Sequence, residues 1–252
     1  MNNWRCHTTM FLSLLLWCTP ASSIEPFTIG VIDWCPYICP GHPKQPGILV
    51  EYTRAIYEGS DYQIKIDVYP WSRAILYALD GTSDALLAPS KHEAPNLVFP
   101  KVEIFSQTMC FFTVMDNPWE YMDAQSLTGK TIVYPQDALP EILLIMNKNA
   151  TFTPKAYTRS FRDQVGSMLL SNRIEIVLAN DYTMARYLKS KQLTDKIKSA
   201  GCLPPEKIYL AFTPNENSKK RIKHLMEIYE KRIKVLIKNK FLKGLLEKYQ
   251  LH

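Results

Sequence analysis

The sequence predicts an α/β fold in two lobes, each with a central, mostly parallel sheet flanked by helices. Three observations predict it. Short apolar runs alternate with helix-period segments from residue 27 onward, giving βαβαβ before residue 90, and that alternation implies parallel strands joined by helical crossovers. A long β-type run at 106–115 (SQTMCFFTVM) ends in Asp116-Asn117-Pro118, after which the alternation begins again. A further β run at 207–213 (KIYLAFT) follows the second series and can return the chain to the first lobe.

The first strand is 27–37 (FTIGVIDWCPY), an apolar run that ends in aromatic, acidic and proline residues. Side chains at the carboxyl end of a strand in an open α/β sheet sit at the crevice where ligands bind, which makes Asp33, Trp34, Pro36 and Tyr37 the first site candidates. Residues 47–59 form a helix closed by Gly59. A strand over 63–69 alternates Ile64, Ile66 and Val68 with polar residues, then runs into Pro70-Trp71-Ser72-Arg73 and a helix to residue 79. Residues 84–88 (DALLA) form the third strand, stopped by Pro89 and Ser90. In the second series, strands are expected at 131–134, 152–157 and 174–179, and helices at 139–146, 160–170 and 182–188. The ending, 218–249, repeats apolar residues at helical spacing and packs as one or two helices on a sheet.

Ahead of the first strand, Arg5, the apolar run 10–17 (MFLSLLLW) and the small residues before Ile24 form the pattern of a secretory signal peptide, residues 1–23. The run is shorter than the roughly 20 residues a stable membrane span needs. Trp17 before Cys18 argues against lipid attachment there, so cleavage after Ser23 and a soluble, exported, periplasmic protein are expected. The net charge of +6 is concentrated at the end, where 11 Lys and Arg face 4 Glu after Pro214. These lysines interleave with the helical apolar pattern, so a solvated helix face is expected and no nucleic-acid partner. Of six cysteines, Cys35, Cys39, Cys110 and Cys202 survive processing, and four allow three disulfide connectivities. Cys35 and Cys39 are close enough to bridge locally, which would leave Cys110 and Cys202 as the second pair. No histidine stands at ligand spacing from a cysteine pair, and no metal or cofactor is expected.

Several motifs in this order resemble the type II periplasmic solute-binding proteins, the amino-acid-receptor-like extracellular solute-binding family 3. They are Asp33-Trp34-Cys35-Pro36-Tyr37, Gly47-Ile48-Leu49-Val50-Glu51, Pro70-Trp71-Ser72-Arg73-Ala74, Gly81-Thr82-Ser83-Asp84-Ala85, Leu127-Thr128-Gly129-Lys130 and Asn172-Arg173-Ile174-Glu175. The resemblance implies lobe one from residues 24–112 plus 212–252, lobe two from 113–211, and a hinge of two crossings matching 106–115 and 207–213. It implies that Trp34 and Tyr37 belong to the loop whose aromatic covers the ligand, that Ala88, Pro89 and Ser90 meet it through backbone and hydroxyl groups, and that Gln136, Asp137 and Asn180 face it from lobe two. Asp181 adds a polar contact, Trp71 an apolar surface, and Arg73 the nearest fixed positive charge for bidentate contact with an anionic group. The arginine that amino-acid receptors of this family carry after the third strand is absent from Lys91-His92-Glu93-Ala94-Pro95-Asn96.

The expected function is therefore a monomeric, non-catalytic receptor that captures a small polar solute between its lobes and delivers it to an ABC-type transporter or a membrane sensor. The alternative is a periplasmic enzyme on the same fold, resembling the cyclohexadienyl dehydratases, which needs a general acid or base in the cleft. Asp33, Glu51, Glu93, Asp137 and Asp181 are its available carboxylates, and no hydrolase, zinc-protease or phosphate-loop motif is present.

Overall fold

The computed structural model describes residues 24–135, 153–157 and 164–251. The predicted leader, the 139–146 helix and the start of the 160–170 helix lie outside the described residues, as do Gln136 and Asp137.

The chain opens with β1 (Glu25–Val31), α1 (Ile48–Tyr57), β2 (Tyr62–Val68), α2 (Trp71–Asp80) and β3 (Ala85–Leu87). Phe27, Ile29, Val31 and all of β3 are buried, the continuous apolar character expected of strands covered on both faces. Gly81, in the left-handed region at φ 87°, stops α2. There follow β4 (Phe105–Gln107), β5 (Met109–Val114), β6 (Thr131–Pro135), β7 (Thr153–Tyr157), α3 (Val165–Leu170), β8 (Ile176–Asn180), α4 (Asp181–Lys191), β9 (Ile197–Cys202), β10 (Glu206–Ile208), β11 (Leu210–Phe212), α5 (Lys219–Lys238) and α6 (Phe241–Lys248).

The described residues form three sheets. The first lobe has the order β11-β3-β1-β2, parallel except at β11; the second has β7-β6-β8-β5-β9; a two-stranded antiparallel ladder of β4 and β10 joins them. In the second lobe β6 pairs parallel with β7 and β8, while β5 runs antiparallel to β8 and β9. The run 106–115 is thus two strands in two sheets. Thr108 interrupts it, and its carbonyl accepts from Asp181 N–H at 3.0 Å. β4 and β10 pair with each other outside both larger sheets. Cys110 to Val114 lie inside the second sheet and Leu210 to Phe212 inside the first, because each of these segments buries its side chains against its own lobe. Strand β9 was not foreseen: Ile197-Lys198-Ser199-Ala200-Gly201-Cys202 offers one β-branched residue and a glycine, and only pairing with β5 makes it a strand.

Each cysteine pair lies within one lobe. Cys35 joins Cys39, and Cys110 joins Cys202, its direct opposite across β5 and β9. The second bridge therefore lies within lobe two and beside the crossings, not across them.

The two ends of lobe one are held together by polar groups. Asp84, just before β3, accepts from Thr28 N–H at 2.8 Å, Thr28 Oγ1 at 2.9 Å, and Arg221 Nε and Nη2 at 3.1 and 3.2 Å. Arg221, on α5, also meets Glu25 at 2.6 Å and the Pro26 carbonyl, and lies over the Tyr62 ring. Removing Asp84 leaves the Thr28 N–H and Arg221 Nε without their acceptor, while Glu25 and the Pro26 carbonyl keep the other guanidinium nitrogens. Asp84→Ala is expected to cost about 2–3 kcal/mol, seen as a lower urea midpoint at unchanged slope; a cost under about 0.5 kcal/mol would contradict the assignment.

Candidate functional site

The site is built on the loop after β1. Trp34 and Ile38 exchange backbone hydrogen bonds at 2.8 Å, Tyr37 N–H donates to the Trp34 carbonyl at 2.8 Å, and the Cys35–Cys39 bridge closes the turn around a cis Cys35–Pro36 peptide. The carbonyls of Pro36 and Tyr37 then accept from Ile48 and Leu49 N–H at 3.1 and 3.0 Å, capping the first turn of α1. A loop so fixed holds its aromatic side chains in one place. Trp34, half-buried, packs on Tyr37 with ring centroids 4.3 Å apart.

Tyr37 is fully buried, with Phe105 at 5.4 Å and Tyr182 at 6.2 Å between ring centroids. Its hydroxyl donates to Asn180 Oδ1 at 3.0 Å, a hydrogen bond from lobe one to lobe two. The same oxygen accepts from Thr183 N–H at 3.1 Å, so Asn180 is also the N-cap of α4, and its amide reaches the Thr108 carbonyl at 3.4 Å. One side chain thus ties together a helix start, the link between β4 and β5, and the opposite lobe. Burial, reinforced by the nearby Asp181 carboxylate, pushes the Tyr37 phenol far above its ordinary range. It stays neutral and keeps its proton to donate. Burial also raises the Asp181 carboxyl, opposed by the hydrogen bond it accepts from Tyr182 N–H at 2.6 Å.

The end of β3 supplies a second polar group. Ala88 has φ 74°, in the left-handed region. Its N–H donates to the Tyr209 carbonyl at 2.8 Å, while Tyr209 N–H donates to the Pro89 carbonyl at 3.0 Å. These backbone groups are engaged with the strand that follows β10. Ser90 N–H donates to Glu93 Oε2 at 2.8 Å and Glu93 N–H approaches Ser90 Oγ at 3.4 Å, a reciprocal capping arrangement. Ser90 Oγ lies 3.3 Å from His92 Nδ1, which is 3.5 Å from Glu206 Oε1; Glu206 Oε2 accepts from Gln107 Nε2 at 3.1 Å. A polar chain therefore runs from the β3 loop to both crossing strands. Burial raises the Glu93 carboxyl above the usual range, and the Ser90 bonds oppose that shift.

The structure gathers Trp34, Tyr37, Asn180 and Asp181 around one inter-lobe contact. Asp33 sits half-buried beside them in the loop after β1. Trp71 and Arg73 open α2 instead: Trp71 packs against the cluster of Ala74, Ala78, Leu86 and Leu97, separate from that of Tyr37, and Arg73 is exposed. Sequence reasoning missed Phe105, Thr108, Tyr182, His92 and Glu206. The Ser-x-x-Glu spacing of Ser90 and Glu93 was a readable signal for the capping pair. Among the described residues no group of three His, Cys, Asp or Glu side chains could hold a metal, and no helix is long and apolar enough to cross a membrane.

No family model matches the chain, and no curated protein matches it. Solved structures do. An ABC uptake transporter substrate-binding protein from Streptococcus pneumoniae with bound histidine is similar at 15% identity and a TM-score of 0.69, over 90% of this chain and 93% of that one. A mutant of the arginine-binding protein of T. maritima aligns at 16% identity and 0.66, over 89% and 94%. A histidine kinase sensor domain with similarity to periplasmic binding proteins aligns at 16% identity and 0.67, over 90% and 96%. At these identities the likeness speaks to architecture, and the chain has the two-lobed fold of the type II periplasmic binding proteins.

Proposed function

We propose that this chain is an exported, non-catalytic receptor that holds a small polar solute between its lobes and presents it to an ABC-type transporter or a membrane sensor. The observation that carries the reading is the Tyr37–Asn180 hydrogen bond, which spans the two lobes beside the short strands β4 and β10. Lobes joined by two short strands can close around a ligand by a change at those strands, as in hinge closure generally. The similar structures with bound histidine and for arginine favour an amino-acid-sized solute.

In this reading Trp34 offers the ring that covers the solute, and Asp33, Asn180 and Asp181 offer polar groups at the strand ends. Ser90, Ala88 and Pro89 shape the wall behind it. Trp71 and Arg73 become contacts that closure has to bring in, and Gln136 and Asp137 complete the second lobe. Leader removal before Ile24 and monomeric behaviour belong to the same reading.

The test is a thermal-shift survey of the purified protein against a metabolite library, followed by mass spectrometry of the released compound. A receptor gives a tight ligand recovered unchanged. Recovery of a converted product would replace the reading with the lyase alternative. With the ligand in hand, Trp34→Ala is expected to weaken binding at least tenfold, about 1.4 kcal/mol. Unchanged affinity in a normally folded variant would move the site elsewhere.

A further inference from the structure

A groove of about 490 Å³ lies between α4 of lobe two and the last residues of lobe one, with Gln45 of the loop before α1 at its edge. Tyr182, which touches the Tyr37 cluster, stands at one end of it. The remainder is lined by groups remote from the strand-end contact.

The charge of this lining is one-sided. Arg186 and Lys189 are exposed on successive positions of one α4 face, Lys248 stands opposite on α6, and no Asp or Glu lines the groove. Lys248 is answered from behind by Glu51 Oε2 at 2.6 Å. The other oxygen of Glu51 accepts from the Tyr249 hydroxyl at 2.7 Å, so that carboxylate is engaged. Lys189 has only the neutral Gln250 amide oxygen, at 3.3 Å. Arg186 has no carboxylate partner among the described residues. Two cations of lobe two thus line the same groove as Lys248 of lobe one.

We infer that this groove is a second ligand site, for a small multivalent anion carrying phosphate or carboxylate groups. A guanidinium presents a planar fork that matches either oxyanion bidentately, and the two ammonium groups supply point charges beside it. The volume lies within the range of ordinary small-molecule pockets and far exceeds the ~30 Å³ share of one water. Because Arg186 and Lys189 belong to lobe two and Lys248 to lobe one, a bound anion bridges the lobes. The site is separate from the crevice of the proposed receptor function and does not depend on it.

The experiment is calorimetric titration of the full mature chain with pyrophosphate and, separately, with citrate, at low ionic strength. The expected result is saturable binding of one anion per chain, weakened at least tenfold in Arg186→Gln combined with Lys189→Gln. Lys234→Gln combined with Lys238→Gln removes the same charge from exposed positions of α5 and is expected to change affinity less than twofold. Trp34→Ala is expected to keep the binding. Preference for pyrophosphate or for citrate identifies which oxyanion chemistry the groove takes. Equal weakening by both charge-removing pairs, loss of binding on Trp34→Ala, or no saturable binding of either anion would overturn the inference.

Discussion

Gly47→Ala is expected to destabilise the protein by roughly 3–6 kcal/mol, close to the whole stability of an ordinary domain. Gly47 has φ 111°, and a Cβ there would stand 2.3 Å from the Tyr37 carbonyl oxygen and 2.7 Å from Ile38 Cα. Those are backbone atoms of the loop that caps α1, so they cannot swing aside as the end of a flexible side chain would. Gly47 is also held in place by its own N–H, which donates to the Tyr249 hydroxyl at 2.9 Å. Shifting the loop would disturb Trp34, Tyr37 and the inter-lobe hydrogen bond together. Gly129→Ala is the comparison: φ is 72° and nothing lies within 4 Å of its added Cβ, so only the backbone cost of about 1–2 kcal/mol applies. Urea unfolding of the two variants should differ by several-fold in lost stability. Equal losses would mean that the close approach at Gly47 is relieved by movement and carries no weight.

Replacing Cys110 and Cys202 by serine is expected to cost about 4–5 kcal/mol in the chain-entropy picture, because the bridge closes a loop with a sequence separation of 92. The Cys35–Cys39 loop has a separation of 4, and the same relation gives about 2 kcal/mol. The larger effect should appear in lobe two, where Cys110 and Cys202 sit on β5 and β9. The smaller one should appear in the emission of Trp34, whose loop the short bridge closes. Urea denaturation of each double variant, with and without reductant for the parent, checks both. If the short bridge proved the more stabilising, loop entropy would not be what the long one supplies.

Much of the architecture was legible because burial writes a simple pattern. β1 and β3 are covered on both faces and read as unbroken apolar runs, and α5 buries Ile222, Leu225, Tyr229, Ile233 and Leu236 at helical spacing. The crossings were harder. A strand continues to look like a strand when it leaves one sheet for another, and Thr108, where the change occurs, carries no turn chemistry. Within the site, position was easier to read than role. Asn180 was named from the family resemblance; its place just before the expected 182–188 helix was a readable cap signal, but the Tyr37 hydroxyl it receives comes from 143 residues away. Tyr37 was named as part of the loop whose aromatic covers the ligand, and its buried ring packs on Phe105 and Tyr182, residues far apart in the chain. The basic groove was invisible for the same reason. Arg186, Lys189 and Lys248 look like ordinary solvated helix charges until the fold sets α4 against the end of the chain.

The interleaving of the first lobe also orders events in time. Lobe two is drawn from one contiguous stretch, and β5 to β9 can find each other as soon as Cys202 has been made. Lobe one cannot be finished then. Its sheet needs β11 beside β3, its buried face needs α5, and Gly47 and Glu51 need the Tyr249 hydroxyl. Pairings between the start and the end of a chain carry the highest loop-closure cost and come last. On loop-closure grounds, then, the amino-terminal strands are covered late in folding, and Tyr249, just past α6, acts as the clasp that seals the first lobe.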